Sequence, residues 1–511
     1  MIYLKYFFLT ATFLLLPLNM FAAETQMVSV ADLRKIITAK KSTPTEIAQA
    51  MQQLKSAADQ HQTEAEYWYA WMRFYGKGNM QTDQAEALKY FNLAAEKNHH
   101  WALYWVGYFY GNGYVVEKDA QKAYDYMKRS ADTGKLQQMH RFAQECIWGT
   151  YFPRDYKTAL EYLEKCKLRT YAPGIAELAR CYARGIGVKR DQAMAFQLYC
   201  QAADLGHAES AYQAAMASFF NRGTRRDMAL EFKYLSIAAD KKHTEALYRL
   251  GNAHYFGFGT PQNFTEALKY FHQAAQKGSL DAITQIGYCY YRGFGVEKNL
   301  AEAIKWYEKA ADKKYIGAYM QLARIYFAGE GVKQDHQKSF DYYMLIEKSQ
   351  KEIEKRIVAS EIALFYEQGL VVEKDLTKAF YYNNRAYTNL GRIKAGFALL
   401  KGIGTEKSPA KALEKFNKTV EIGNSPLGAY MAAILYISNM EGVEFNPAKA
   451  EKLFISSAKA GYKPAMKVLV SLYLTGNKGF TKNQQKAEKW RQKFIKTPDM
   501  PESRFISEPH L

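Results

Sequence analysis

A ten-residue segment recurs along this chain at nearly regular intervals, and this repetition restricts the possible folds more than any other feature. The segment "YYRGFGVEKN" (290–299) returns as "YARGIGVKRD" (182–191), "YFAGEGVKQD" (326–335), "YGNGYVVEKD" (110–119) and "YEQGLVVEKD" (366–375). Most copies lie 36 residues apart. A fixed period of this size is typical of a solenoid of stacked units and not of a set of unrelated domains.

Each copy reads as two helices joined by a glycine-containing turn. In "NLAEAIKWYEKAADK" (299–313), Ala303, Tyr307 and Ala310 fall on one helix face. An Asp or Asn precedes the second helix of most copies, as an N-cap residue would. These positions are Asp119, Asp155, Asp191, Asp227, Asn263, Asn299, Asp335, Asp375 and Asn446.

The combined pattern "LG..Y..G.GV..D..KA..WY.KAA..G" resembles Sel-1-like repeats, which are related to tetratricopeptide repeats. The copies at 174–206, 245–278 and 281–314 carry it most completely, and the repeat array is predicted to cover residues 65–495. The resemblance implies an all-α fold, a right-handed superhelical α/α solenoid of about twelve helix-turn-helix repeats of about 36 residues. It also implies a non-enzymatic adaptor that binds other proteins.

The segments outside the array have their own predicted roles. Residues 24–64 are predicted to form N-terminal capping helices, and residues 496–511 a C-terminal tail. Residues 1–23 combine Lys5, a short apolar run and the small pair Ala22-Ala23, which is typical of a signal peptide cleaved near Ala23. We therefore expect a periplasmic or secreted protein. The alternative is a segment that is not cleaved and anchors the chain in a membrane.

Export to an oxidising compartment would allow disulfides. Of the five cysteines, four fall in two neighbouring copies and are disulfide candidates: Cys146, Cys166, Cys181 and Cys200. Links 146–166, 181–200 and 166–181 are all compatible with the sequence. Cys289 lies apart from the others.

Catalytic and metal motifs are not evident. The chain has no GxSxG and no CxxC or Cys/His ligand spacing, and its 10 histidines lie mostly at repeat edges. We therefore expect no enzyme activity, no metal and no cofactor.

The resemblance to tetratricopeptide repeats places the first helix of each copy on a concave, partner-binding side. The exposed positions of these helices carry aromatic and Arg side chains, which are frequent contributors to interface energy. The predicted partner-binding residues are Arg73, Tyr108, Trp148, Arg180, Arg184, Phe220, Tyr255, Tyr288, Tyr291, Arg292 and Arg324.

Charge points to an acidic partner. The formal net charge is +19, which attracts acidic molecules to the surface. Nucleic acid is disfavoured by the export signal, so we expect a protein partner bound by a monomeric chain. A periplasmic regulator, a toxin-neutralising immunity protein and a host-interacting factor all fit this description. The alternative is a peptidoglycan- or β-lactam-binding protein with weak hydrolase activity.

Overall fold

The computed structural model describes residues 28–39, 42–78 and 80–499, and every regular element in these ranges is an α-helix. The predicted signal peptide (1–23) and residues 500–511 of the predicted tail lie outside the described residues. None of the helices in the described ranges has the length and apolar composition needed to cross a bilayer.

The chain divides after Arg226 into two compact units. The helices of the first unit are α1 (Val30–Thr38), α2 (Pro44–Asp59), α3 (Thr63–Tyr75), α4 (Gln84–Glu96), α5 (His100–Asn112), α6 (Ala120–Asp132), α7 (Leu136–Trp148), α8 (Tyr156–Leu168), α9 (Ala172–Arg184), α10 (Gln192–Asp204) and α11 (Ala208–Phe219). The predicted capping region 24–64 contains α1 and α2.

The second unit begins at Asp227. Its helices are α12 (Met228–Asp240), α13 (Thr244–Phe256), α14 (Phe264–Gln276), α15 (Leu280–Arg292), α16 (Leu300–Ala311), α17 (Ile316–Ala328), α18 (His336–Glu347), α19 (Glu352–Gln368), α20 (Leu376–Arg385), α21 (Asn389–Lys401), α22 (Pro409–Gly423), α23 (Pro426–Tyr436), α24 (Pro447–Lys459), α25 (Lys463–Thr475) and α26 (Gln484–Lys496).

Helix pairing within each unit confirms the predicted α/α repeat fold. From α3 to α10, and again from α13 to α26, each odd-numbered helix packs against the even-numbered helix that follows it, and each even-numbered helix also packs against the next first helix. Side chains that a single repeat would leave exposed are therefore buried by its neighbour.

The predicted N-caps are confirmed. The Asp119 side chain accepts the backbone N–H of Lys122 at 2.9 Å, and Asp375 accepts that of Lys378 at 2.9 Å. The same bond is present at Asp155, Asp191, Asp227, Asn263, Asn299, Asp335 and Asn446. Each cap satisfies a backbone donor that the first helical turn leaves without a partner.

The two glycines of the turn have different structural roles. Gly293 ends α15 in the left-handed region, with φ +76°. Gly295, also at positive φ, lies against the preceding repeat, where a Cβ would sit only 2.4 Å from the carbonyl oxygen of Phe264. The second glycine is therefore a point of close approach between repeats.

One position of the second helix carries a large apolar or aromatic side chain in most repeats. It lies eight residues after the N-cap, and we call it the floor position because it packs beneath the neighbouring first helices. Floor residues of α4 to α24 are Phe91, Met127, Leu163, Tyr199, Leu235, Phe271, Tyr307, Tyr343, Asn383, Phe416 and Phe454.

We expect Gly295→Ala to destabilise the protein more than Gly278→Ala. Both glycines have positive φ, but a Cβ on Gly278 meets nothing within 4 Å. Gly278→Ala should cost about 1 kcal/mol from backbone strain alone, and Gly295→Ala about 1–3 kcal/mol more from the clash. Urea unfolding midpoints would measure the difference. Equal losses in the two variants would contradict the close-approach role.

Candidate arginine cleft

A cleft of about 570 Å³ lies in the first unit between α9 and α11, over residues of α10. Two of the predicted partner-binding residues, Arg180 and Arg184 of α9, line it. They are joined by Arg190 from the turn before α10 and by Arg222 from the segment after α11. The cleft therefore brings together four guanidinium groups from three consecutive parts of the chain. We call it the arginine cleft.

Positive charges outnumber negative charges around the arginine cleft. Arg180 forms an ion pair with Glu177, one turn earlier on α9. In the described ranges, Arg184, Arg190 and Arg222 form no ion pair with a carboxylate of the chain. Glu209 is the second acidic residue of the lining, and it accepts a hydrogen bond from Gln213 at 2.7 Å. Four cations against two carboxylates leave the cleft positive, which favours an anionic ligand.

Two histidines in the lining stay neutral near pH 7. Burial lowers the pKa of His140 to about 4, and the positive charges of Arg141 and Arg180 act in the same direction. Burial also lowers the pKa of His207, and its Nδ1 accepts the backbone N–H of Ser210 as the N-cap of α11. Since both imidazoles are uncharged, the positive potential of the cleft comes from its arginines.

The other predicted binding residues of the first unit lie outside the lining of the arginine cleft. Arg73 has a side chain only 13% exposed, held by Asp83 at 2.9 Å and by Glu86. Tyr108 is half-buried between aromatic neighbours, with the ring of Trp105 at 5.1 Å. Trp148 and Phe220 are the exposed ones, at 48% and 49%.

The predicted residues of the second unit contact side chains of their own repeat or of the next one. Tyr255 and Tyr288 pack against the ring of Phe294, and Arg292 lies over the same ring at 5.8 Å. The hydroxyl of Tyr291 donates to Glu330, and Arg324 is 3.8 Å from a carboxylate oxygen of Glu361.

None of the three predicted disulfides is present, because Cys146, Cys166 and Cys181 have free thiols. Antiparallel packing of α7 and α8 separates the first pair. The Cys166 thiol points to the Leu136 carbonyl at 3.8 Å, whereas Cys146 lies about 15 Å further along α7. Disulfides need Cα atoms within about 7 Å.

The 166–181 link is absent for a similar reason. Cys166 packs against Gly174 near the start of α9, and Cys181 lies two turns later on that helix. Cys181 itself has a free thiol, and Cys200 is half-buried on α10. Burial raises the pKa of Cys146 to about 12 and those of Cys166 and Cys181 to about 11, so these thiols are poor nucleophiles.

In the described ranges, no group of three or more His, Cys, Asp or Glu side chains could hold a metal ion. In the lining of the arginine cleft, the Ser210 hydroxyl lies 2.9 Å from His207 Nδ1, but Ser210 is fully buried and the same nitrogen caps α11. The side chains of the cleft suit binding of a negatively charged group.

Comparison with protein families explains the repeat. A Sel1 repeat model matches more than half of the chain. The chain belongs to the Sel1 repeat family. Matched segments are 63–99, 102–135, 141–165, 172–207, 244–279, 280–315, 316–343, 359–389, 384–414, 427–462 and 471–495. This confirms the predicted resemblance, and the repeat scaffold indicates protein–protein interaction.

Two solved structures are similar to this chain. The crystal structure of c5321, a protective antigen present in uropathogenic Escherichia coli strains, is 22% identical, with a TM-score of 0.65, and the match covers 88% of this chain and 94% of that one. A Sel1 repeat protein from Oxalobacter formigenes is 21% identical, with a TM-score of 0.48, covering 63% of this chain and 94% of that one. The first likeness supports the same repeat fold.

The family match also distinguishes one part of the array. The matched segments pass from 172–207 directly to 244–279, so the copy that begins with α11 is left out. This copy provides Arg222 and one wall of the arginine cleft. Its turn, "NRGTRRD" (221–227), carries three arginines, a signal that the sequence analysis overlooked together with Arg190, His140 and His207.

We expect acidification to destabilise the first unit through His140. Its folded pKa is lowered, so unfolded chains take up a proton as pH falls through 6.5 while the folded protein resists protonation until about pH 4. Stability is therefore lost below pH 6.5. His140→Gln should lose about 2 kcal/mol less than the wild-type protein between pH 7.5 and 5, as measured by urea unfolding. An unchanged pH slope would contradict the burial of a neutral imidazole.

Proposed function

We propose that this Sel1 repeat protein is an exported, non-enzymatic scaffold that binds an acidic segment of a protein partner in the arginine cleft. One observation carries the proposal: Arg184, Arg190 and Arg222 converge on one cleft and form no ion pair within the described chain. Guanidinium groups bind carboxylates through paired, charge-assisted hydrogen bonds. An acidic segment would supply the counter-charges that the cleft lacks.

The surroundings of the arginine cleft support a protein ligand. Phe196, Tyr199 and Met216 line it beside the arginines, and they offer apolar and aromatic contact area. Phe220 is exposed two residues before Arg222, whose guanidinium lies over its ring at 4.8 Å, and Trp148 is exposed elsewhere in the same unit. A partner segment would therefore meet charged anchors in the cleft and aromatic side chains near it.

The copy that departs from the family pattern is the second line of support. Every repeat must preserve its packing residues, but one wall of the arginine cleft comes from the copy that the Sel1 model does not match. A departure that adds Arg222 to a cleft with three other arginines is more readily explained by binding than by packing, because unpaired like charges destabilise a fold.

Arg184→Glu/Arg222→Glu is expected to abolish the binding. Neither residue is paired with a carboxylate within the described chain, so the double variant should fold normally and repel an acidic ligand. We expect at least about tenfold weaker binding of a fluorescent oligoglutamate peptide. A protein captured by the wild-type chain from envelope extracts should be lost with this variant.

Lys189→Glu/Lys452→Glu is the matched control, because it changes the net charge equally at two exposed lysines outside the arginine cleft. It should bind like the wild-type protein, and wild-type binding should weaken as salt rises. Equal losses of binding in both double variants would show that net charge, and not the arginine cleft, causes the loss. Full binding by Arg184→Glu/Arg222→Glu would refute the cleft as the site.

Export is tested separately. A chain expressed in a bacterium with residues 1–23 in place should be recovered from the periplasm or medium with Glu24 as its first residue. Recovery in the membrane fraction with residue 1 still present would support the uncleaved anchor. Retention in the cytoplasm would contradict export.

A further inference from the structure

A second cleft, of about 300 Å³, lies in the second unit between α19 and α21, over α20. It occupies the same place in its repeat as the arginine cleft, since both open between consecutive first helices above one second helix. Its chemistry is different. Phe380, Phe397 and Ile403 supply apolar walls, and Asn383 lies among them. We call it the amide cleft.

Asn383 breaks the repeat pattern at the floor position. In the second helices α4 to α24, the other floor residues are large and apolar or aromatic, such as Phe271, Tyr343 and Phe416. Asn383 is a short amide that is only 3% exposed. The space that a ring fills in neighbouring repeats is therefore left open above α20, and the flanking Phe380 and Phe397 are only half-buried.

Of the two polar atoms of the Asn383 side-chain amide, only the nitrogen has a hydrogen-bond partner. Its Nδ2 donates to Glu367 at 2.7 Å, and Lys394 donates to the other oxygen of the same carboxylate at 2.7 Å. Asn383 Oδ1 is buried and has no hydrogen-bond partner in the described structure. A buried acceptor without a donor is unfavourable. An occupant that donates a hydrogen bond would remove this penalty.

From these features we infer that the amide cleft binds an aromatic ring carrying a hydrogen-bond donor, such as the phenol of a tyrosine side chain. The ring takes the place of the missing floor side chain between Phe380 and Phe397, where aromatic contacts are favourable. Its hydroxyl donates to Asn383 Oδ1. The volume is at the lower end of the range for ligand sites, which suits a single ring.

The charge pattern of the amide cleft differs from that of the arginine cleft. Lys394 is bound to Glu367, and the other cation of the lining, Lys401, is exposed to solvent. An acidic group would meet the Glu367 carboxylate. The inference therefore stands independently of the proposed function, and variants of Arg184 and Arg222 leave it unaffected.

The test compares the binding of p-cresol and of toluene to the whole chain, and the affinity of each probe is measured by NMR of the probe or by calorimetry. We expect p-cresol to bind at least tenfold more tightly than toluene, because only p-cresol can donate to Asn383. Asn383→Phe restores the side chain found in the repeats of α22 and α24, and it should abolish p-cresol binding while the melting temperature stays equal or rises.

If Asn383→Phe fails to fold, Ala398→Leu replaces it in the test. This substitution narrows the amide cleft from α21 without changing Asn383, and it should weaken p-cresol binding. N-acetyltyrosinamide distinguishes the source of the ring: binding of both probes indicates a tyrosine side chain of a polypeptide, and binding of p-cresol alone indicates a free phenol. Equal affinity for toluene and p-cresol, no p-cresol binding, or unchanged binding in Asn383→Phe would overturn the inference.

Discussion

Burial of one large side chain between successive helices is the interaction on which the structure depends. A single helical pair cannot cover its own apolar face, so Phe271 or Tyr307 becomes solvent-inaccessible only when the adjacent helices pack over it. Close approach at Gly295 brings the turn of one repeat onto the second helix of the preceding one. Caps such as Asp119 then fix where each second helix begins.

This dependence explains why departures from the repeat pattern are informative. Positions that pack between repeats cannot change freely, because a lost side chain leaves a void that neighbours do not fill. Asn383 is such a change, and a cleft lies above it. The copy containing α11 is another, and it contributes to the arginine cleft. Both clefts open at the same place in the repeat but present different groups: arginines in one, and an amide between aromatic rings in the other.

Much of the fold could be predicted from sequence because its determinants are local. The 36-residue period, the Asp and Asn caps and the glycine turns each act within one repeat or between neighbours. Arg180 and Arg184 were predicted as binding residues because the tetratricopeptide register places them at exposed positions of a first helix. Arg73 was placed in the same class, but its pairing with Asp83 and Glu86 was not apparent from spacing. The placement of the free thiols of Cys146 and Cys166 was likewise not apparent, because sequence proximity does not show which ends of antiparallel helices meet.

The sequence by itself determined the repeat, the helical pairs and the sites of capping, because these follow from residue type at fixed local spacing. Only the tertiary structure decided which side chains meet. It brought Arg190 and Arg222 to Arg184 although they come from different turns, and it opened a cleft above Asn383. These features depend on packing between helices, where the volume and hydrogen bonds of one residue are set by neighbours distant in the chain.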